Sequence, residues 1–204
     1  MITDNRQVDI SDKYRLILAS NSPRRKELLG GLGLPFEVRV LKDIDESYPF
    51  DLPVGQVAIY IAGKKAQAYR QSIREDELII TADTVVIVDD QILGKPVDAA
   101  DAQRMLRLLS GRTHQVTTGV CMLTSRQERR FDVTTEVTFK PLSDDEIDYY
   151  VARYKPFDKA GAYGIQEWIG YIGVTGLSGS YYNVMGLPVQ RIYTEFQYFF
   201  NDNE

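Results

Sequence analysis

Residues 16–29 constrain the fold more than any other part of this chain. Residues 16–18 form a short apolar run with the length of a buried strand, and the last residues of the stretch follow a helical pattern. Between the two, Ser22 is a favoured N-cap residue, and Pro23 suits the first position of a helix, where a missing N–H costs nothing. The sequence therefore predicts a strand, a polar turn and a helix that begins at Pro23.

The turn of this unit predicts an anion-binding site. A helix that begins here directs free backbone N–H groups and the positive end of its dipole at the turn. Ser20 and Ser22 add hydroxyl groups, and Arg24 and Arg25 add two guanidinium groups that stay charged. The alternative is an ordinary capped surface helix with solvated arginines. Because two cations in the first turn oppose the helix dipole, we favour a site for phosphates.

Length, charge and composition exclude several classes of protein. The 204 residues fit one domain, or two lobes that share a cleft. A net charge of −5 is a poor match to general nucleic-acid binding, whereas a small phosphorylated substrate needs only a local basic pocket. The single Cys121 excludes an internal disulfide, and the single His114 excludes a histidine-rich metal site.

The chain shows no sign of a membrane or export segment. No apolar run approaches the roughly 18 residues that a membrane helix needs, and the polar N-terminus does not resemble a signal peptide. We therefore expect a cytoplasmic protein with no membrane partner. Residues 1–13 are expected to form a flexible N-terminal extension.

One aspartate stands inside a long apolar segment. The sequence predicts a buried strand over residues 78–82 and a hairpin over residues 85–93, so that Asp83 and Thr84 lie between two apolar runs. An unpaired buried carboxylate is costly, so Asp83 is either a structural residue bound by backbone amides or a catalytic one. We favour catalysis, because such groups often mark functional sites.

A second acidic group and an inward-facing lysine precede Asp83. Asp45 and Glu46 lie in a polar turn; adjacent carboxylates suit Mg²⁺, although most such clusters are solvated loops. The helical pattern of residues 54–71 then places Lys65 on its inward face. This lysine either extends its ammonium group to solvent or reaches a phosphate, and the spacing leaves both alternatives open.

Residues 159–166 interrupt every periodic pattern in the C-terminal half. Two glycines and two alanines stand there among larger residues, and small residues allow a backbone to approach a ligand closely. The alternative is a glycine-rich crossover between two lobes. Helical patterns that begin after Asp98, Ser143 and Pro188 surround this segment.

Taken together, these motifs resemble those of the Maf-type nucleotide pyrophosphatases, the septum-formation-inhibitor family. The similarity covers nearly the whole chain and begins with the serine–proline–arginine turn of residues 19–29. Any one match is weak, but six further matches in the family's order are specific. The six segments are Lys64-Lys65-Ala66, Ala82-Asp83-Thr84, Leu93-Gly94-Lys95-Pro96, residues 109–114, residues 158–166 and Met185-Gly186-Leu187-Pro188.

The resemblance implies an α/β fold, in which helices flank a mixed, twisted β-sheet and two lobes enclose a substrate cleft. Residues 14–204 would form this one domain, and a homodimer is one expected assembly. The family hydrolyses nucleoside triphosphates to the monophosphate and pyrophosphate with a divalent metal, here Mg²⁺ or Mn²⁺. The triphosphate charge would be neutralised by Arg24, Arg25, Lys65 and Lys95.

The resemblance also implies roles for the carboxylates. Asp83 would orient and deprotonate the attacking water, or would bind the metal that does so. Glu46 and Asp45 would complete the metal site with Asp83. The catalytic set is then Asp83 with Lys65 and Lys95, and the substrate would be bound by Ser20, Ser22, Arg24, Arg25, Thr84 and Gln166.

The segment that ends at Gln166 resembles the branch of the family that prefers dTTP and UTP, in which Arg24, Thr84 and Gln166 are tied to specificity. A glutamine amide offers one donor and one acceptor, which complement the N3–H and carbonyl oxygens of uracil and thymine. Glu167 follows where the family usually has glycine, and a register shift of one residue would put a carboxylate in the base pocket. The alternatives are a relative that acts on another or modified base, such as 7-methyl-GTP or CTP, and a non-catalytic nucleotide sensor in cell-division control.

Overall fold

The computed structural model describes residues 10–200, and within that range seven strands form one mixed sheet. The strands are β1 (Arg15–Leu18), β2 (Phe36–Val38), β3 (Glu77–Val88), β4 (Gln91–Leu93), β5 (Thr113–Leu123), β6 (Glu128–Phe139) and β7 (Val174–Ser178). Their order across the sheet is β2-β1-β3-β5-β6-β7, and β4 pairs with β3. The β1 strand is parallel to both of its neighbours, whereas β3, β5, β6 and β7 pair in antiparallel fashion.

Helices cover both faces of this sheet. They are α1 (Ile10–Lys13), α2 (Pro23–Gly30), α3 (Val57–Gln67), α4 (Ala99–Leu109), α5 (Asp144–Tyr154), α6 (Trp168–Gly173), α7 (Tyr181–Met185) and α8 (Val189–Glu195). Short 3-10 segments occupy Val54–Gln56, Ala160–Ala162 and Phe196–Phe199. The α/β fold with a mixed sheet and flanking helices is therefore confirmed.

The central strand β3 sends alternate side chains to opposite faces of the sheet. On one face, Val85 and Ile87 pack against Val57, Ala58 and Ile61 of α3. This helix lies close to the sheet at Gly119 of β5, where an added Cβ atom would lie 2.2 Å from the backbone nitrogen of Ile59. Gly119 is paired with Asp83 across the ladder between β3 and β5, so the close approach brings α3 over Asp83.

The other face of β3 carries two hydrophobic clusters, which form the cores of two lobes. The first cluster contains Ile80 and Ala82 together with residues of α2 and α8. The second contains Val86 and Val88 together with residues of α4 and α5. Thr84 lies between these two pairs on the same face, so the boundary between the lobes crosses β3 at Thr84.

The structure differs from the sequence-based expectation in three places. The strand β3 is continuous from Glu77 to Val88, whereas the sequence predicted a break at Asp83; pairing with β5 throughout residues 79–87 keeps it extended. The helix expected over residues 54–71 is shorter, because α3 covers Val57–Gln67. The segments α6, β7 and α7 were not predicted as regular structure.

Part of the predicted N-terminal extension is packed against the domain. Residues 1–9 of that extension lie outside the described residues, but Ile10–Lys13 form the short helix α1. Ile10 is buried in the first cluster, so residues 10–13 belong to the packed part of the chain. No helix in residues 10–200 has the length and apolar character to cross a membrane.

Candidate active site

The predicted turn and helix at the start of the chain are confirmed. Ser22 is the N-cap residue of α2, and its side-chain oxygen accepts a hydrogen bond from the backbone N–H of Arg25 at 3.4 Å. The hydroxyl oxygen of Ser20 in turn accepts a hydrogen bond from the backbone N–H of Ser22 at 3.2 Å. Because both oxygens act as acceptors here, each hydroxyl keeps its own proton as a donor.

Arg25 is half-buried, and it binds the protein itself with three of its N–H groups. Its Nη1 donates to the backbone oxygen of Ala82 at 2.8 Å. That oxygen faces the same edge of β3 as the Ile80 oxygen, which accepts from the Ala19 N–H at 2.9 Å. The guanidinium N–H therefore acts in place of a further backbone N–H of β1. It extends the hydrogen bonds between β1 and β3 beyond the end of β1.

The other two contacts of Arg25 join β3 to the C-terminal part of the chain. Nε donates to the backbone oxygen of Gly186 at 2.8 Å, and Nη2 donates to Oγ1 of Thr84 at 3.0 Å. Gly186 has a φ angle of +115°, which favours glycine at the end of α7. Burial lowers the pKa of Arg25, while the charges of Asp83 and Glu46 act in the opposite direction. Arg25 therefore organises the site, and its contact with a substrate stays a prediction.

Thr84 belongs to a chain of hydroxyl contacts across the lobe boundary. The hydroxyl oxygens of Thr84 and Thr118 are 2.9 Å apart, and Thr118 donates to the backbone oxygen of Asn183 at 3.1 Å. Since the proton of Thr118 goes to Asn183, Thr84 donates to Thr118 and accepts from Arg25. Thr84 is thus fixed by α2, β5 and α7, and it stays a predicted specificity residue.

Two of the predicted carboxylates meet at one lysine. The ammonium nitrogen of Lys65 lies 2.9 Å from Oδ1 of Asp83 and 3.1 Å from Oε2 of Glu46. The side chains of Lys65 and Asp83 are 14% and 16% exposed, whereas that of Glu46 is 55% exposed. The inward position of Lys65 on α3 is therefore confirmed, and Asp83 is paired with this lysine.

Asp45 is the one predicted metal ligand that the structure does not bring to Asp83. Its Oδ2 lies 2.8 Å from the ammonium nitrogen of Lys64, and its side chain is 71% exposed. Its two oxygens also accept hydrogen bonds from the backbone N–H and the hydroxyl of Ser47. These hydrogen bonds, led by that from Lys64, lower the pKa of Asp45 far below its ordinary value. Asp45 and Glu46 thus contact different lysines of α3, and the role of Asp45 as a metal ligand stays a prediction.

The remaining carboxylates fit a divalent cation that is shared with phosphate. In residues 10–200, no group of three histidine, cysteine, aspartate or glutamate side chains is arranged to hold a metal. Mg²⁺, however, is commonly held by one or two carboxylates together with substrate phosphates and water. Asp83 and Glu46 supply two such carboxylates, and both contact the Lys65 ammonium group.

The two remaining predicted cations lie on separate segments. Nη1 of Arg24 lies 2.9 Å from Oδ2 of Asp158, so the start of α2 is tied to the loop after α5. Lys95 is exposed in the loop after β4. The backbone oxygen of the preceding residue, Gly94, accepts a hydrogen bond from the N–H of Gly161 at 3.0 Å. Both cations therefore border the glycine-rich segment that was predicted to approach a ligand.

Gln166 lies in a tight turn at the end of that segment. The N–H of Glu167 donates to the backbone oxygen of Gly164 at 3.0 Å, which closes the turn around Ile165 and Gln166. Oε1 of Gln166 is buried and has no hydrogen-bond partner among the described residues. This acceptor is therefore unpaired in the structure, and recognition of a base by Gln166 stays a prediction.

The carboxylate of Glu167, the next residue, is bound within the protein. Its Oε1 lies 3.0 Å from the ammonium nitrogen of Lys159, and its Oε2 accepts a hydrogen bond from the hydroxyl of Tyr150. Burial and this hydrogen bond to Glu167 raise the pKa of Tyr150. Both carboxylate oxygens are thus engaged within the protein, and whether Gln166 or Glu167 meets the base stays a prediction.

Sequence reasoning missed the residues that connect these parts. Asp158 and Lys159 lie in a matched motif but were given no role, and Tyr150 lies in the helix that was predicted to begin after Ser143. Asn183 was not singled out; its Nδ2 donates to the Val116 backbone oxygen at 2.9 Å and to Oγ1 of Thr135 at 3.0 Å. Its position within an irregular polar segment carried no periodic signal.

Comparison with known proteins gives consistent matches over most of the chain. Residues 15–199 match the family model described as Maf-like protein. The chain is 62% identical over 184 residues to a Phocaeicola vulgatus protein named dTTP/UTP pyrophosphatase, which covers 90% of this chain and 95% of that protein. It is 56% identical over 184 residues, with the same shares, to the Bacteroides thetaiotaomicron protein of that name.

A solved structure shares the fold. The Ham1 protein of Staphylococcus aureus superposes with a TM-score of 0.50 at 16% sequence identity, covering 90% of this chain and 99% of that one. At this identity the match supports the α/β architecture alone. The family model and the close relatives agree over nearly the whole described range, and the chain therefore belongs to the Maf-like protein family.

Proposed function

We propose that this chain hydrolyses dTTP and UTP to the nucleoside monophosphate and pyrophosphate. The names of its relatives support this activity. The observation that carries the choice of base is the buried, unpartnered Oε1 of Gln166. A buried acceptor without a donor is costly, and the N3–H of uracil or thymine would supply that donor. The Gln166 amide N–H would then meet a neighbouring carbonyl oxygen of the same base.

The triphosphate would lie along the cations that surround this turn. Arg24, Lys65 and Lys95 come from three separate segments, and the hydroxyls of Ser20 and Ser22 provide neutral donors. A triphosphate carries about four negative charges, so its binding requires several positive groups. On binding, the Lys65 ammonium group would exchange part of its contact with Asp83 and Glu46 for phosphate oxygens.

Asp83 is the residue proposed to act on water. The ammonium group of Lys65 contacts Oδ1 of Asp83, so Oδ2 provides a separate acceptor for a proton. A carboxylate in this position can orient a water molecule and take its proton as the oxygen attacks phosphorus. Lys65 fixes the carboxylate, and both charges are largely shielded from solvent, which strengthens their electrostatic effect.

A divalent cation, Mg²⁺ or Mn²⁺, is also proposed, with Asp83 and Glu46 as the residues that would hold it. When bound, it would neutralise phosphate charge and favour departure of pyrophosphate. Asp45 contacts Lys64 and not Lys65, so it would join this pair only after a change in the loop. We also propose a cytoplasmic location, where nucleoside triphosphates are made and used, and a homodimer, which sedimentation would test.

The decisive experiment is pyrophosphate release from a panel of nucleotides. The purified chain would be tested with dTTP, UTP, CTP, GTP, ATP and 7-methyl-GTP, with and without Mg²⁺ or Mn²⁺. The proposal expects release of pyrophosphate from dTTP and UTP above all others. Equal rates for all bases would contradict the role of Gln166. Nucleotide binding without release would indicate a sensor instead of an enzyme.

A further inference from the structure

Two sets of hydrogen bonds hold the turn that carries Gln166. Its backbone is closed by the hydrogen bond from the Glu167 N–H to the Gly164 oxygen at 3.0 Å. The hydroxyl of Tyr150 accepts from the Gly164 N–H at 3.0 Å and donates to Oε2 of Glu167. Tyr150 is completely buried in the second lobe, so it ties both ends of this turn to the core.

A line of charges leads from the same turn to the phosphate side. Oε1 of Glu167 lies 3.0 Å from the Lys159 ammonium nitrogen, which also lies 2.8 Å from Oδ1 of Asp158. Oδ2 of Asp158 accepts from Arg24 at 2.9 Å. Burial raises the pKa of Asp158, but hydrogen bonds from Lys159 and Arg24 outweigh it and lower that pKa. Four side chains thus form one continuous series from the base-reading turn to the start of α2.

Packing around the two side chains of this series that lie nearest the turn leaves little freedom, whereas the side chain of Asp158 is 60% exposed. The side chain of Lys159 is 9% exposed and that of Glu167 is 21% exposed. A Cβ atom at Gly164 would lie 3.0 Å from the carboxyl carbon of Glu167 and 3.1 Å from Cε of Lys159. A shift of the turn would therefore move the Lys159 ammonium group, and with it Asp158.

We propose that Glu167 is a positioning residue for base selection, which fixes the turn that presents Gln166 and couples it through Lys159 and Asp158 to Arg24. The inference deepens the proposed function and rests on it. A base that pairs with Gln166 leaves the turn in place and Arg24 aligned with the phosphates. A base that does not pair displaces the turn, and the displacement reaches Arg24. Glu167 then increases the discrimination between pyrimidine and purine substrates without touching either.

The test compares Glu167→Gln and Tyr150→Phe with the wild-type protein. Glu167→Gln keeps the size of the side chain but removes the charge that Lys159 meets, and Tyr150→Phe removes the single hydroxyl that ties the turn. The matched control is Glu75→Gln, the same change at an exposed glutamate outside the site. For each protein, kcat and KM are measured for dTTP, UTP and dGTP, binding of UMP and GMP by calorimetry, and Tm by thermal unfolding.

The expected result is a loss of discrimination. In Glu167→Gln the ratio of kcat/KM for dTTP to that for dGTP falls about tenfold, mainly because KM for dTTP rises. Tyr150→Phe changes the ratio in the same direction, the ratio of UMP to GMP affinity follows it, and Glu75→Gln matches the wild-type protein. If Glu167→Gln fails to fold, Tyr150→Phe decides the question with the same readouts.

Two results would overturn the inference. In the first, the variants lose activity equally on all bases and have a lower Tm, so the series is purely structural. In the second, their ratio of kcat/KM for dTTP to that for dGTP equals that of the wild-type protein. In both cases the wild-type preference for dTTP and UTP would still stand, so the proposed function survives. A wild-type protein that neither binds UMP nor hydrolyses any pyrimidine triphosphate would overturn both proposals together.

Discussion

The two ends of the proposed substrate would meet different environments. On the phosphate side, the charges of Lys65, Asp83 and Glu46 are paired with one another, and Glu46 is open to solvent. On the base side, the acceptor of Gln166 is buried and unpaired, while the charge of Glu167 is engaged on both oxygens. The first environment has to exchange partners when a ligand binds, whereas the Gln166 acceptor has no partner to give up.

Because of this difference, we expect the two regions to contribute differently to binding and to base selection. Exchange of ion pairs on the phosphate side makes binding there dependent on salt, because partly exposed charges are screened. A preformed acceptor on the base side loses no partner on binding, and a base that cannot donate leaves it unsatisfied. We therefore expect variants on the phosphate side to change turnover for all bases, and variants on the base side to change the preference between bases.

The largest effect is expected from Asp83→Asn. An amide cannot take a proton from water at neutral pH, so kcat should fall by about 10²–10⁴, as is typical for loss of a general base. Because the amide oxygen can still accept a hydrogen bond from Lys65, nucleotide binding should persist. Steady-state kinetics with dTTP and calorimetry with a non-hydrolysable analogue measure the two quantities. Asp132→Asn, at an exposed position of β6, is the matched control. Hydrolysis by Asp83→Asn at the wild-type rate would make Asp83 structural.

The next effect distinguishes Arg24 from Lys95. Each alanine variant should lose charge-assisted hydrogen bonds to phosphate worth about 1.5–3 kcal/mol, which weakens turnover and triphosphate affinity. Lys95 is exposed, so Lys95→Ala should leave Tm unchanged and affect all bases equally. Arg24 also meets Asp158, so Arg24→Ala should lower base discrimination as well.

Kinetics on dTTP and dGTP, together with thermal unfolding, separate these outcomes. A large fall in Tm with unchanged activity per folded molecule would show that Arg24 and Lys95 serve stability and not the reaction. Full base discrimination in Arg24→Ala would show that the phosphate side and the base side are not coupled through Arg24.

Gln166→Glu should act on the base side alone. A carboxylate facing a carbonyl oxygen of uracil or thymine leaves a buried polar group unpaired, at a cost of about 1–3 kcal/mol, or roughly ten- to a hundredfold in kcat/KM. Guanine presents two donors on its pairing edge, so GTP hydrolysis should lose less or increase. Gln71→Glu, at an exposed position, is the control. Equal losses on pyrimidine and guanine nucleotides would contradict base recognition by Gln166.

Local signals in the sequence were sufficient for several of the elements and for part of the site. The N-caps Ser22, Asp98 and Ser143 each begin the predicted helix, because capping depends on neighbouring residues. The inward position of Lys65 followed from helical spacing in the same way. The break predicted at Asp83 was wrong, since pairing of residues 79–87 with β5 outweighs one polar residue in a strand.

Contacts between distant segments could not be predicted from such signals. The sequence around Arg25 is typical of an anion ligand. Because β1 ends before β3 does, however, a backbone oxygen of β3 is left for the guanidinium group to bind. The separation of Asp45 from Glu46 depends on which lysine of α3 each residue faces, and the loop conformation decides this. The role of Glu167 likewise depends on a distant residue, because the hydroxyl of Tyr150 donates to its carboxylate.

The last expected effect concerns stability and not activity, and it is a pH dependence on the base side. The Nε2 atom of His114 and the hydroxyl of Tyr163 are 2.7 Å apart behind the Gln166 segment, and the ring of His114 also contacts Phe139. Burial lowers the pKa of His114 from 6.5 to about 4 in the folded protein. Between these values the unfolded chain binds the additional proton, so this contribution to stability is complete above pH 6.5 and is lost as the pH falls towards 4.

His114→Phe removes this titration while keeping an aromatic ring in the cluster. The variant should be less stable at pH 7, because the Tyr163 hydroxyl loses its partner, but its free energy of unfolding should fall less between pH 6.5 and 4 than that of the wild-type protein. Urea unfolding at several pH values measures both slopes. Parallel slopes for the two proteins would mean that His114 titrates alike in the folded and unfolded chains. In that case the acid sensitivity would come from carboxylates in ion pairs, such as Glu77, whose pKa the Arg39 hydrogen bonds lower to about 2.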